Sequence, residues 1–196
     1  MTLKTIVVTS ATGEPIALAD MKEHINITTT DDNDYITNLG IAARQYVEMV
    51  TNRKLMPQTW AGYWDCFPYG KEIQIPHTPL RSIPSTGFVY TNSAGASTTF
   101  SSTAWGVDIA SEPGRIVLTY GDSWPSVTLG YNNPIAITFN CGYAGSSAVP
   151  QQMKEVMYLL VANWYDNREA VSIVYGGKPF KMPYGVNQLN QYKVFE

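Results

Sequence analysis

The sequence predicts an α+β protein: a small helical bundle scaffold, an inserted antiparallel β module and a C-terminal extended arm. Three observations carry that reading. Two amphipathic stretches precede Pro57, a block rich in β-branched and aromatic residues broken by turn signals runs from Gln58 to Tyr143, and a long apolar helical pattern follows Pro150. Four segments result: an N-terminal arm with two helices over 1–56, the β module over 57–148, the long helix completing the scaffold over 149–170, and the arm over 171–196.

The long helix organises the rest. Pro150 suits the first turn, where a missing N–H costs nothing, and no Gly or Pro follows until Gly176, so the pattern predicts a helix over 150–169. Met153, Val156, Met157, Leu160, Val161 and Trp164 recur at helical spacing, and Tyr158, Leu159, Ala162 and Tyr165 fill much of the remaining surface. A helix apolar nearly all round is covered on more than one side, by its own fold or by a second copy. Met157, Leu160, Trp164, Tyr165 and Arg168 are therefore candidates for either core or inter-subunit contact.

In chain order, Ile6, Val7 and Val8 predict an extended arm ending at the turn signal Thr12-Gly13-Glu14-Pro15. Leu18, Met21 and Ile25 predict a short helix, with Asp20 early and His24 late as the helix dipole favours, although Ala17 supplies no cap. Thr28-Thr29-Thr30-Asp31-Asp32 offers capping groups to a second helix over 35–50, whose apolar face is Ile36, Leu39, Ala43, Tyr46, Val47 and Val50 and whose exit is Asn52 in the left-handed conformation. The β module predicts strands at 59–67, 72–75, 85–90, 98–101, 106–109, 115–120 and 135–141. Asn92-Ser93-Ala94-Gly95 suits a hairpin loop, and Glu112-Pro113-Gly114-Arg115 the type II turn, with Pro and Gly at its two central positions. The arm is interrupted by Gly176-Gly177, Pro179 and Pro183 and ends in a short helix near 186–192. Phe180, Tyr184, Val186, Leu189, Tyr192 and Phe195 give it too much apolar surface for a solvated tail, so it is expected to bind something.

Composition narrows the function. A formal net charge of -3 with 15% charged residues provides no basic patch for sequence-specific nucleic-acid binding, and no long uncharged apolar run predicts a membrane span. The N-terminus has too short an apolar core for a secretory signal, so a soluble protein made in the cytoplasm is expected. There Cys66 and Cys141 are expected as free, buried thiols. Thirteen Tyr and five Trp against so little charge favour protein contact surfaces. No phosphate loop, nucleophile elbow or zinc motif is present, and His24 and His77 lack partners at ligand spacing. Asp31, Asp32 and Asp34 lack the glycine and distal glutamate of a calcium loop and are expected to cap a helix; Asp166-Asn167-Arg168-Glu169 is expected to end one in a salt-bridged cluster. No catalytic residue, metal or cofactor is expected.

An ordered set of short motifs then points to a family. They begin with Glu14-Pro15-Ile16-Ala17-Leu18, Ile41-Ala42-Ala43-Arg44-Gln45-Tyr46 running into Thr51-Asn52-Arg53, and Gln58-Thr59-Trp60. Ile75-Pro76 with Pro79-Leu80, Ser111-Glu112-Pro113-Gly114-Arg115, Ser123-Trp124-Pro125 and Gly142-Tyr143 follow. Val149-Pro150, Asn163-Trp164-Tyr165-Asp166-Asn167-Arg168 and Pro183-Tyr184-Gly185-Val186 complete it. In this order the chain resembles the head–tail connector (adaptor) proteins of long-tailed phages and gene transfer agents, departing at Ala17, where Ser or Thr is usual, and at the polar stretch 187–191, where leucines are common. The resemblance implies a structural virion protein, not an enzyme. It would form a cyclic ring, typically a dodecamer, below the portal, join the capsid vertex to the stopper or tail, and continue the DNA channel without sequence-specific binding. It would sit in the virion neck after assembly in the host cytoplasm, with the C-terminal arm docking on the portal. Two rival readings are a tail-completion or tail-terminator ring protein, and a carbohydrate-binding β module in which Trp60, Trp64, Trp105 and Trp124 stack on sugars.

Overall fold

The computed structural model describes residues 3–168 and 184–194, and the side chains of 4–168 and 187–194. Helices and antiparallel sheets are both well represented, giving an α+β fold. The chain divides into two compact units, one of Met1–Thr12, Met56–Tyr143 and Val194–Glu196, the other of Gly13–Leu55 and Ala144–Lys193.

The helical unit contains α1 (Leu18–His24), α2 (Asn33–Thr51) and α3 (Gln151–Asp166), with a 3₁₀ turn at Ser146–Ala148 and a 3₁₀ helix at Tyr184–Tyr192. α1 starts at Ala17 with no side-chain cap and buries Met21. Opposite it, α2 carries Gly40, where an added Cβ would lie 2.8 Å from the Met21 sulfur. A glycine inside a helix costs about 0.5–1 kcal/mol, and here it allows α1 to approach closely. The buried face of α2 is Ile36, Gly40, Ala43, Val47 and Thr51, while the expected Leu39, Tyr46 and Val50 are half-buried beside it. The residue that shifts the face is Gly40, which periodicity of apolar side chains does not count. Asn52 ends α2 in the left-handed conformation at φ 59°, as expected.

α3 is the densest part of this unit. Pro150 precedes its first turn, and Met153, Val156, Met157, Leu160 and Val161 are all buried. Each contributes about 1.5–3 kcal/mol of apolar burial. α3 packs on α2, and the 3₁₀ helix packs on both through the fully buried Leu189.

The β unit contains two antiparallel sheets. The larger runs in the order β1 (Leu3–Thr9), β2 (Gln58–Trp64), β9 (Ile135–Cys141), β5 (Phe88–Thr91), β6 (Ser97–Thr99), with β4 (Leu80–Ser82) also paired to β9. The smaller runs β3 (Glu72–Gln74), β8 (Arg115–Leu118), β7 (Trp105–Asp108). β9 is the central strand. Its alternation places Ile135, Ile137, Phe139 and Cys141 in the core, with Phe88, Ile116, Ile75 and Trp64 around them.

Several expectations change here. The extended N-terminal arm is strand β1, paired with β2 from Leu3↔Trp64 to Thr9↔Thr59, so the described residues up to Thr12 group with the strands. The three-residue β4 was not read from the sequence, since Pro79 stands beside it and it is too short to show a period. The turn at Glu112–Arg115 is not type II: the Glu112–Pro113 bond is cis and Gly114 does not take a positive φ. Gly114 is required instead by packing, because a Cβ there would lie 2.5 Å from that of Leu80. The hairpin at Asn92–Gly95 does form, with Gly95 at φ 83° and the Asn92 side chain accepting from the N–H groups of Ala94 and Ala96. Cys141 is buried as expected, but Cys66 is exposed.

Candidate assembly surface

Within the helical unit, the start of α2 and the end of α3 are joined by a polar and aromatic cluster. Tyr165 donates its hydroxyl to Asp32 Oδ2 at 2.5 Å, and Arg168 Nη2 lies 3.2 Å from the same oxygen. The Arg168 guanidinium also stands over the rings of Tyr35 (4.7 Å) and Tyr165 (5.0 Å). The Tyr165 hydrogen bond, helped by the Arg168 charge, holds the Asp32 carboxyl below its ordinary pKa. The same bond, with burial and the Asp32 charge, pushes the Tyr165 phenol up against the opposing pull of Arg168. Asp32 was expected to cap α2. It takes the cap position but makes no side-chain cap bond, because its carboxylate is committed to α3. No linear signal could show this, since its partners lie 133 and 136 residues away.

The expected site residues separate by burial. Met157 and Leu160 lie in the core of the helical unit, Trp164 and Tyr165 are half-buried, and Arg168 is exposed. Trp164 packs edge-on against Tyr46 with centroids 6.4 Å apart. The large apolar side chains that α2 and α3 leave exposed are Met49 and Leu159, neither of them singled out by periodicity. In the arm, Leu189 is buried and Tyr192 donates its hydroxyl to Gln152 Oε1, so these two hold the 3₁₀ helix to its own unit. Phe180 and Phe195, and the side chains of Tyr184 and Val186, lie outside the described residues.

The tryptophans expected to hold sugar are mostly committed elsewhere. Trp64 and Trp105 are core residues, Trp60 packs on His77 with centroids 4.1 Å apart, and Trp124 stacks on Phe67 while its indole N–H bonds Gly70. Among the described residues, no group of three or more His, Cys, Asp or Glu is placed to hold a metal ion, and no helix is long and apolar enough to cross a membrane.

A polar clasp and exposed apolar side chains on two helices are surface an assembling protein can use. The model of the phage gp6-like head-tail connector protein family matches residues 15–112, half of the chain. The chain belongs to this family. Among solved structures, the connector is similar to a chain from the neck of an empty gene transfer agent particle computed with C6 symmetry, at 21% identity and TM-score 0.76. It is also similar to one from a native gene transfer agent virion, at 20% identity and TM-score 0.76, and to one from a native neck computed with C12 symmetry, at 22% and 0.73. In each case 100% of this chain and 97% of the other are covered, so the fold is shared over its full length. No curated protein matches the connector in sequence. Its role is that of a structural head–tail connector.

Proposed function

We propose that this connector forms a cyclic ring, a dodecamer, below the portal in the virion neck, where it joins the capsid vertex to the stopper or tail and continues the DNA channel. The observation that carries the reading is the family match, reinforced by a fold shared end to end with proteins whose structures are described as gene transfer agent necks in C6 and C12 symmetry. The chain acts by assembly and not by catalysis. It is made in the host cytoplasm and ends in the particle.

Ring contacts need apolar surface that the monomer leaves uncovered. Met157 and Leu160 are used inside the helical unit, so Met49 and Leu159 are the better anchors for a neighbouring copy in a head-to-tail arrangement. Twelve copies at -3 each carry about -36, which suits a channel that lets DNA slide without gripping its phosphates. The C-terminal arm docks on the portal through Phe180, Tyr184, Val186 and Phe195, while Leu189 fixes its base, and the ordering cost is offset by engagement of the whole ring.

The test mixes purified full-length connector with the portal assembly of its own source particle and images the mixture by electron microscopy. A ring stacked on the portal is expected, and a full-length Phe180→Ser/Phe195→Ser variant is expected to form rings that no longer stack. Binding to tail-tube protein with no affinity for the portal would support the tail-completion reading instead. A chain stopped before Leu189 is a poor control, since it loses a core residue of the helical unit.

A further inference from the structure

One end of the β unit is built unlike the rest of it. β2 and β9 pair Trp64↔Ile135, and β5 and β9 pair Tyr90↔Ile135, so the loops 65–71, 92–96 and 119–134 all leave the larger sheet at the same end. They are bonded together there: Trp124 Nε1 donates to the Gly70 carbonyl at 2.7 Å, Ser93 N–H to that of Thr128 at 2.8 Å, and Leu118 N–H to that of Lys71 at 2.9 Å. Beneath them Phe67 and Trp124 stack with centroids 5.6 Å apart and planes inclined by 11°. The same loops carry three fully exposed tyrosines, Tyr69, Tyr120 and Tyr131, at 113%, 101% and 102%.

We propose that this end is a protein-recognition tip that takes an uncharged, hydrogen-bonding surface of a second virion protein. The three loops carry Asp65, Lys71 and Asp122 as their only charges, and otherwise consist largely of Tyr, Ser, Thr, Gly and Asn with a few apolar residues. One cation among these loops cannot draw a phosphate backbone, whose binding needs several. It offers equally little to a strongly charged protein face. Tyr beside Ser, Gly and Asn is the chemistry of paratopes, where a two-torsion aromatic gives contact area at low entropy cost and small polar groups adapt their hydrogen bonds. Area supports the same occupant. Three tyrosines at about 150–250 Å² each supply about 600 Å² of the roughly 800 Å² per partner that a stable complex buries. Their full exposure also means that the fold gains no packing from them and that their area is available to a partner. The inference rests on the connector reading for where the partner is found.

The test places a photo-crosslinking benzoylphenylalanine at position 69 or 131 of the full-length chain, supplied to a source phage lacking its own copy. Ile109, 57% exposed in the loop at the opposite end of β8, is the control position. Purified particles are irradiated and the adducts identified by mass spectrometry. Cross-links from 69 and 131, absent from 109, to one virion protein other than this chain are expected. The Tyr69→Ser/Tyr120→Ser/Tyr131→Ser chain is expected to keep its melting temperature and ring formation while that partner binds it at least about 30-fold more weakly. Adducts with DNA or with a second copy of the chain, or no adduct from particles that contain the chain, would overturn the proposal and leave the connector reading standing. Absence of the chain from the particles would overturn both.

Discussion

Replacing Glu48 tests how the end of α2 is held. Its side chain is 7% exposed, and its Oε1 accepts the N–H of the fully buried Leu55 at 2.9 Å and lies 3.4 Å from Arg44 Nη1. Its Oε2 faces Lys54 Nζ at 3.6 Å, and Arg44 turns its Nε to Glu14 Oε2 at 2.8 Å. One carboxylate thus ties the chain that folds back after Asn52 to the helix it has just left. Glu48→Ala removes the acceptor of a buried N–H, about 1–3 kcal/mol, and one of the two carboxylates facing Arg44, about 1 kcal/mol more, for a total of about 3 kcal/mol. Glu48→Gln keeps an oxygen for Leu55 and loses only the charge, so it should cost about 1 kcal/mol. Urea denaturation followed by helical circular dichroism reads the helical unit, where the helices reside. If Glu48→Ala stays within about 0.5 kcal/mol of the parent, or the two variants cost the same, the N–H of Leu55 does not depend on Glu48 and the reasoning fails.

Three further outcomes are expected. The Asp108 carboxyl is held down to about 2 by the hydroxyl of Ser111 first and Arg115 next, so its contribution to stability is complete above the ordinary value of 3.8 and is lost as pH falls toward 2; acid titration of unfolding should flatten over that window in Asp108→Asn. Gly142→Ala puts a Cβ 2.1 Å from the Met56 carbonyl oxygen at φ 95°, whereas Gly95→Ala at φ 83° meets nothing within 4 Å. The first should cost about 3 kcal/mol or more and the second about 1, a gap visible in thermal melts. Met49→Glu or Leu159→Glu should leave the monomer's melting temperature unchanged and abolish rings in mass photometry; rings of normal size from both variants would move the subunit contact elsewhere.

The fold was legible wherever one face of an element is buried. The α3 stripe and the alternation of β9 state their elements plainly, because helical and strand periods record which side faces the core. β1 gave a weaker signal. Ile6, Val7 and Val8 are all about half exposed on an edge strand, so no alternation was imposed on them. Gly114 was misread for a similar reason: its absent side chain answers to Leu80 and not to the turn. The surface was least legible of all. Asp32 meets its partners only once α2 and α3 lie side by side, and Tyr69, Tyr120 and Tyr131 gather at one end only through the pairing of β2, β3, β8 and β9. The family was nevertheless readable, since its short motifs fall in order along nearly the whole chain.

The most direct test of the connector assignment is a cryo-electron microscopy reconstruction of the neck of the source particle, at a resolution that identifies side chains. This chain is expected there as a closed cyclic ring in contact with the portal, DNA passing through its lumen. A neck whose portal is followed by a different protein, with this chain at the far end of the tail or missing, would contradict it.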